Sequence, residues 1–79
     1  MCRMLAFVHT YAPTPILIEI KPYYTSGRIK RIITEETSIK PHHQELWWKR
    51  KIMRDEDIVR KCIMYLKNEI HFELKINGF

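Results

Sequence analysis

Apolar and polar residues alternate most cleanly near the end of the chain. In "EIHFELKI", Ile70, Phe72, Leu74 and Ile76 fall on one side of an extended backbone, and Glu69, His71, Glu73 and Lys75 on the other. "ILIEIK" alternates the same way, with Ile16, Ile18 and Ile20 opposed to Leu17, Glu19 and Lys21. Residues 4–10, "MLAFVHT", are rich in strand formers. The "YAPTP" that follows contains Pro13 and Pro15, which cannot donate to a central ladder, so the two runs predict an antiparallel hairpin. The period then changes. Ile29, Ile32 and Ile33 recur at i, i+3 and i+4, Thr25 or Ser26 is placed to cap, and Pro41 stops further helix. Arg28, Lys30 and Arg31 lie near the helix start and Glu35 and Glu36 near its end. That order opposes the macrodipole at roughly 0.3–1 kcal/mol per exposed charge, so this helix depends on tertiary packing.

The middle of the chain admits more than one reading. Ile58, Val59, Cys62, Ile63 and Leu66 share a face if residues 57–67 are helical, with Asp55 or Asp57 as cap. "ELWWK" reads as a strand with Leu46 and Trp48 inward and Trp47 outward, between Glu45 and Lys49. Periodicity alone does not decide such short runs. The order is hairpin, helix, undecided middle, strand, which predicts an α+β domain with one helix across one mixed sheet.

With 79 residues there is room for one small domain and a single modest core. Hydrophobic residues at 46% and charged residues at 29% belong to a globular chain. The formal charge is +5, but Glu35, Glu36, Asp55, Glu56 and Asp57 interrupt the cations. That favours a solvated surface over a dedicated nucleic-acid face. Cys2 and Cys62 form neither a zinc motif nor a disulfide framework. No signal peptide is visible, and no run approaches the ~20 apolar residues of a membrane span. The expectation is a reduced compartment, cytoplasmic or nuclear, without membrane association. His9, His42, His43 and His71 lack ligand spacing, "HHQE" after Pro41 reads as a polar connector, and no phosphate-binding glycine loop occurs. Neither a metal, nor a cofactor, nor an enzymatic activity is expected.

From Met4 to Phe79 the chain resembles ubiquitin without a gap. The shared residues are Met4, Phe7, Val8 and Thr10, then Ile16, Glu19 and Pro22, then Thr25, Lys30 and Ile33. Ile39, Pro41, Gln44 and Leu46 follow, with Lys51, Asp55, His71, Leu74 and Gly78. Apolar character is kept at Ile29, Met53, Val59, Met64, Ile70 and Phe72. The resemblance implies a β-grasp over residues 4–79 preceded by a short extension, residues 1–3. It makes residues 44–48 a strand and reduces the 57–67 helix to about one turn near Val59 and Cys62. The chain departs from the family at four places. Ser26 replaces a core aliphatic, Ala6 is smaller, Pro13 stands in a turn that carries glycine in the family, and Cys62 replaces a bracing tyrosine.

The family is read mainly through the open face of its sheet. Carried over, that surface comprises Tyr11, Trp47, His71 and Glu73, where Glu73 puts a charge on an aliphatic position and Glu45 replaces a cation. A second apolar site would comprise Ile39, Leu74 and Ile76, with Tyr11 at its edge. The plainer alternatives are that Trp47 only leans on the stems of Lys49 or Lys51, and that Ile39 and Leu74 are semi-buried packing. Of the family's acceptor lysines, Lys30 and Lys51 are kept, Lys30 as a semi-buried structural residue and Lys51 as a possible acceptor. The others carry His9, Thr14, Ile32, Glu36 and Leu66. The ending "KINGF" has Phe79 where conjugated relatives end in Gly-Gly, which argues against covalent transfer. The resemblance therefore implies a monomeric, non-conjugating module that docks a protein partner, such as a ubiquitin-system or proteasome component. Two alternatives remain. One is a modifier whose tail is processed; the other is a ribonucleoprotein component touching RNA through Arg28, Arg31, Lys49, Arg50, Lys51 and Arg54.

Overall fold

A computed structural model describes residues 4–60 and 69–78. β1 (Met4–His9) and β2 (Ile16–Ile20) form the antiparallel hairpin, in register from Met4 opposite Ile20 to Val8 opposite Ile16. Residues 10–15 connect them irregularly, as their two prolines require. α1 (Ser26–Thr37) follows, then a short 3₁₀ turn (Pro41–His43), β3 (Gln44–Trp48), β4 (Lys51–Ile52) and β5 (Glu69–Ile76). The five strands form one sheet in the order β2-β1-β5-β3-β4. β5 runs parallel to β1 and antiparallel to β3. Ile29 and Ile33 of α1 join the sheet's buried side chains in one core, so the helix lies across one face. This is the expected α+β β-grasp.

Strand alternation builds the core. Met4, Ala6 and Val8 of β1, Ile18 and Ile20 of β2, Leu46 of β3, and Ile70, Phe72 and Leu74 of β5 all turn inward. Met53 and Val59 close the cluster, and Trp48, Ile16, Ile32 and Ile76 pack at its margin. Each large side chain fully buried there contributes about 1.5–3 kcal/mol.

Local contacts set the ends of α1. Thr25 is the N-cap, its Oγ1 accepting the Arg28 N–H at 3.2 Å, worth about 1 kcal/mol. Ser26 is fully buried, and among the described residues its Oγ has no hydrogen-bond partner. Leaving a hydroxyl unpaired costs about 1–3 kcal/mol, so this departure from an aliphatic core residue weakens the fold. The N–H of Gly27 donates to Asp55 O at 2.9 Å, and a Cβ on Gly27 would stand only 3.2 Å from that oxygen. The first helical turn carries no acid and the last no base, as the charge order predicts. Compensation comes from elsewhere. Lys30 is 8% exposed, and its Nζ lies 2.7 Å from Asp55 Oδ1. Ser38 adopts φ 65° and donates its N–H to Thr34 O. The buried Gln44 directs its Nε2 to Ile39 O at 2.8 Å, and to Lys30 O and Thr34 Oγ1 at 3.0 Å, tying the helix end to β3.

β3 and β4 meet through a two-residue turn, Lys49 and Arg50, with φ of 47° and 68°. Two successive positive φ values are the type I′ pattern that matches strand twist. Without glycine each such residue costs about 1–2 kcal/mol. The Lys49 ammonium sits 4.8 Å from the centre of the Trp48 ring, and the Met53 N–H donates to Leu46 O at 2.8 Å, which holds the turn closed.

Ile58, which a 57–67 helix would bury, is 41% exposed and pairs with Thr25 in an isolated bridge, whereas Val59 is buried. Extended pairing there competes with helix. The remainder of that helix, the single turn expected in its place, and the readings of Cys2, Cys62, Ile63, Met64, Leu66 and Phe79 lie outside the described residues. No helix among the described residues is long and apolar enough to cross a membrane.

Candidate docking face on the open side of the sheet

The same alternation that turns aliphatic residues toward α1 turns a mixed set away from it. The strand registers arrange that set in rows. Leu17, Phe7 and His71 stand side by side across β2, β1 and β5. His9, Glu73, Trp47 and Ile52 stand side by side across β1, β5, β3 and β4. Lys75 lies opposite Glu45 in the next row. An open groove of about 520 Å³ runs over these rows, lined by Tyr11, Trp47, Lys49, His71, Glu73 and Lys75, with His9 and Thr10 at its β1 end.

Tyr11 rises from the β1–β2 connection and is 89% exposed. Trp47 is half-buried. Its Nε1 donates to Glu45 Oε1 at 3.2 Å, and the Lys75 ammonium sits 4.2 Å from the ring centre. An ammonium over an indole is attracted by the ring quadrupole, worth about 0.5–1 kcal/mol at exposed sites. Trp47 therefore faces the open side, as expected, but leans on Lys75 rather than on Lys49 or Lys51.

His9 and His71 form the groove's other wall. His9 Nε2 and His71 Nδ1 are 2.9 Å apart. Their ring centroids are 5.2 Å apart with planes 14° from parallel. That separation is the N···N distance plus two imidazole radii, so the rings meet edge to edge in nearly one plane. One nitrogen donates and the other accepts. On its other side His71 lies nearly parallel to Phe7 at 4.8 Å, and its Nε2 is 3.5 Å from Glu69 Oε1.

Of the residues carried over from the resemblance, Tyr11, Trp47, His71 and Glu73 converge on this groove. Leu74 also borders the groove but offers it almost no side-chain surface. It is 3% exposed, on the inward side of β5 with Ile70 and Phe72, because it shares their parity along the strand. Ile39 and Ile76 are half-buried, Ile39 with its carbonyl taken by Gln44. Lys51 is exposed on β4 opposite Trp48 and does not line the groove. Lining residues not assigned to this surface from the sequence include His9, Thr10, Lys49 and Lys75. The parity of β1 and β5 carried the signal for two of them, since His9 follows Phe7 by two positions and Lys75 follows Glu73 by two. Among the described residues no group of three or more His, Cys, Asp or Glu side chains converges on a metal position.

No family model matches this chain, and no curated protein matches it. A similar solved structure is the crystal structure of ATBAG1 in complex with HSP70. The match has a TM-score of 0.83 at 20% identity, over 96% of this chain and 41% of that one. The fold is ubiquitin-like. At that identity the likeness extends to the fold alone, and this chain spans well under half of its neighbour.

The residues that follow β5 are tied down. The Asn77 N–H donates to His43 O at 2.9 Å, and His43 Nδ1 lies 2.9 Å from Asn77 O. Asn77 Nδ2 donates to Glu45 Oε2. Gly78 follows at φ 75°, an angle that favours glycine, and a Cβ there would stand 2.8 Å from His43 Nδ1 and press on that ring.

Proposed function

We propose that this chain is a non-conjugating ubiquitin-like protein-protein interaction module that docks a protein partner through the open face of its sheet. The observation that carries the reading is the convergence of Tyr11, Trp47 and His71 on one groove, on the face that α1 leaves uncovered. Tyr and Trp at the rim and floor of a concave surface are the composition of binding hot spots. The tether from Asn77 to His43 and Glu45 supports the non-conjugating part. A transferable tail must thread a narrow enzyme channel, and these contacts would first have to break. ATBAG1 is itself found in complex with a protein, HSP70. By that analogy the partner sought is a protein, with ubiquitin-system or proteasome components the first to try.

Affinity purification with wild type beside Trp47→Ala tests this, each partner then being re-tested as purified protein. A partner bound directly by wild type and lost with Trp47→Ala, while the variant keeps its circular dichroism spectrum, supports the reading. Equal binding by both proteins ends it. Incubation with activating enzyme and ATP should give no thioester, and a thioester would make the chain a modifier instead.

A further inference from the structure

The chain as a whole has a formal charge of +5, yet the open face of its sheet is acidic. The registers put Glu19, Leu5 and Glu69 in one row, Glu73 beside Trp47 in another, and Glu45 beside Lys75 in a third. Against these four carboxylates, Lys75 is the one lysine or arginine that the described registers place on that face. Lys49 reaches the groove, but its ammonium lies 4.8 Å from the centre of the Trp48 ring, which packs at the core margin. The acids differ in what they already hold. Glu45 accepts from Trp47 Nε1 and Asn77 Nδ2, and Glu69 lies 3.5 Å from His71 Nε2. Glu73 is exposed and lines the groove, and among the described residues its carboxylate has neither a hydrogen-bond nor an ion-pair partner.

An unpaired carboxylate beside an indole suits a cation. Glu73 and Trp47 stand directly opposite each other on β5 and β3, which sets their Cβ atoms about 4.5–5.5 Å apart. A guanidinium laid flat on the indole therefore reaches the Glu73 carboxylate. The ring already draws a cation, since the Lys75 ammonium sits 4.2 Å from its centre. Lys75 gains the ring alone, because among the described residues no carboxylate lies within ion-pair distance of it. An incoming arginine gains ring and carboxylate together, and its planar fork suits both. Such an arginine displaces the Lys75 ammonium into solvent.

Building on the docking reading above, we propose that the groove's occupant is a basic peptide segment anchored by an arginine. Its guanidinium stacks on Trp47 and pairs with Glu73, and Tyr11 supplies a second aromatic surface in the same groove. Further cations of the segment are drawn by Glu69 and Glu45, which lie in the rows on either side of the anchor. An acidic segment meets like charge at each of these positions and is rejected.

Three short synthetic peptides test this, one repeating Arg-Leu, one citrulline-Leu and one Glu-Leu, each titrated into the full chain and followed by backbone and indole NMR shifts. Citrulline keeps the shape of arginine without its charge. The Arg peptide is expected to bind about tenfold tighter than the citrulline peptide at low salt, with shifts centred on Trp47 and Glu73. That preference should shrink as salt rises and vanish in Glu73→Gln, a variant that removes no buried group. Lys75→Gln, which takes away the competing ammonium, should tighten the Arg peptide severalfold. Equal binding of the Arg and citrulline peptides, an unchanged preference in Glu73→Gln, weaker binding in Lys75→Gln, or no shift at Trp47 overturns the proposal. So does tighter binding of the Glu peptide, which would make the occupant acidic. A protein partner that is lost with Trp47→Ala but indifferent to Glu73→Gln would leave the docking reading standing and remove only the basic occupant.

Discussion

The two faces of the sheet are built from the same strands under opposite demands. Toward α1 the strands' side chains are mostly aliphatic and closed to solvent, with the buried Gln44 of β3 a polar exception, and α1 adds the buried Ser26 and Lys30. Toward the open side the same strands present Leu17, Phe7, His9, His71, Glu73, Trp47 and Lys75 in rows, held by ring contacts and single hydrogen bonds. Burial is strongly favourable only where it is complete, so stability resides on the inner face. The outer face is left free to vary in chemistry. A protein of this size can change its partner surface without refolding its core.

The sharpest way to break that comparison is to truncate one aromatic on each side. Phe72→Ala on the inner face should lower unfolding free energy by about 3–5 kcal/mol in urea titration, since Phe72 is fully buried in the core. For a domain this small such a loss threatens the fold itself. Gln44→Ala comes next. It removes the amide that serves Ile39 O, Lys30 O and Thr34 Oγ1, and should destabilise by about 1–3 kcal/mol while speeding amide exchange at the C-terminal turn of α1. Ser26→Val runs the other way. Removing an unpaired buried hydroxyl should raise the melting temperature, by a gain of about 1 kcal/mol, provided the extra methyl fits; Ser26→Ala, which adds no volume, controls for that, and a lower value in both variants would mean the hydroxyl is satisfied. Trp47→Ala should change stability least, by less than about 1 kcal/mol, because the ring is held by a surface lysine, Lys75, and by Glu45. If Trp47→Ala proves as damaging as Phe72→Ala, the division of labour between the faces fails.

Much of the inner face was legible in the sequence, and the reason is physical. A closed face admits only apolar residues, so Ile16, Ile18, Ile20 and the Ile70–Ile76 alternation announce their side of the strand. Leu74 shows what happens when two guides conflict. Alternation places it inward and the resemblance places it on a surface site, and the structure follows alternation. The outer face was legible only in part. Position along a strand reveals that Lys75 and His71 point outward, but not that an ammonium settles over Trp47 or that two imidazoles meet edge to edge. The Lys49–Arg50 turn left no trace, because neither residue favours positive φ and the pairing of Trp48 with Lys51 imposes it from outside. The tether from Asn77 to His43 was likewise invisible, since it joins segments far apart in the chain.

β1 and β5 lie side by side at the centre of the sheet, Ala6 against Ile70 and Val8 against Phe72. β1 therefore lacks its neighbour on one side until β5, far along the chain, has been made. On a ribosome the β1–β2 ribbon and α1 emerge before their central neighbour, and consolidation must wait for β5 to clear the exit tunnel. Non-local pairing of this kind slows folding relative to helical domains of equal stability. Nascent chains should thus keep this domain protease-sensitive until β5 has emerged, then become resistant abruptly.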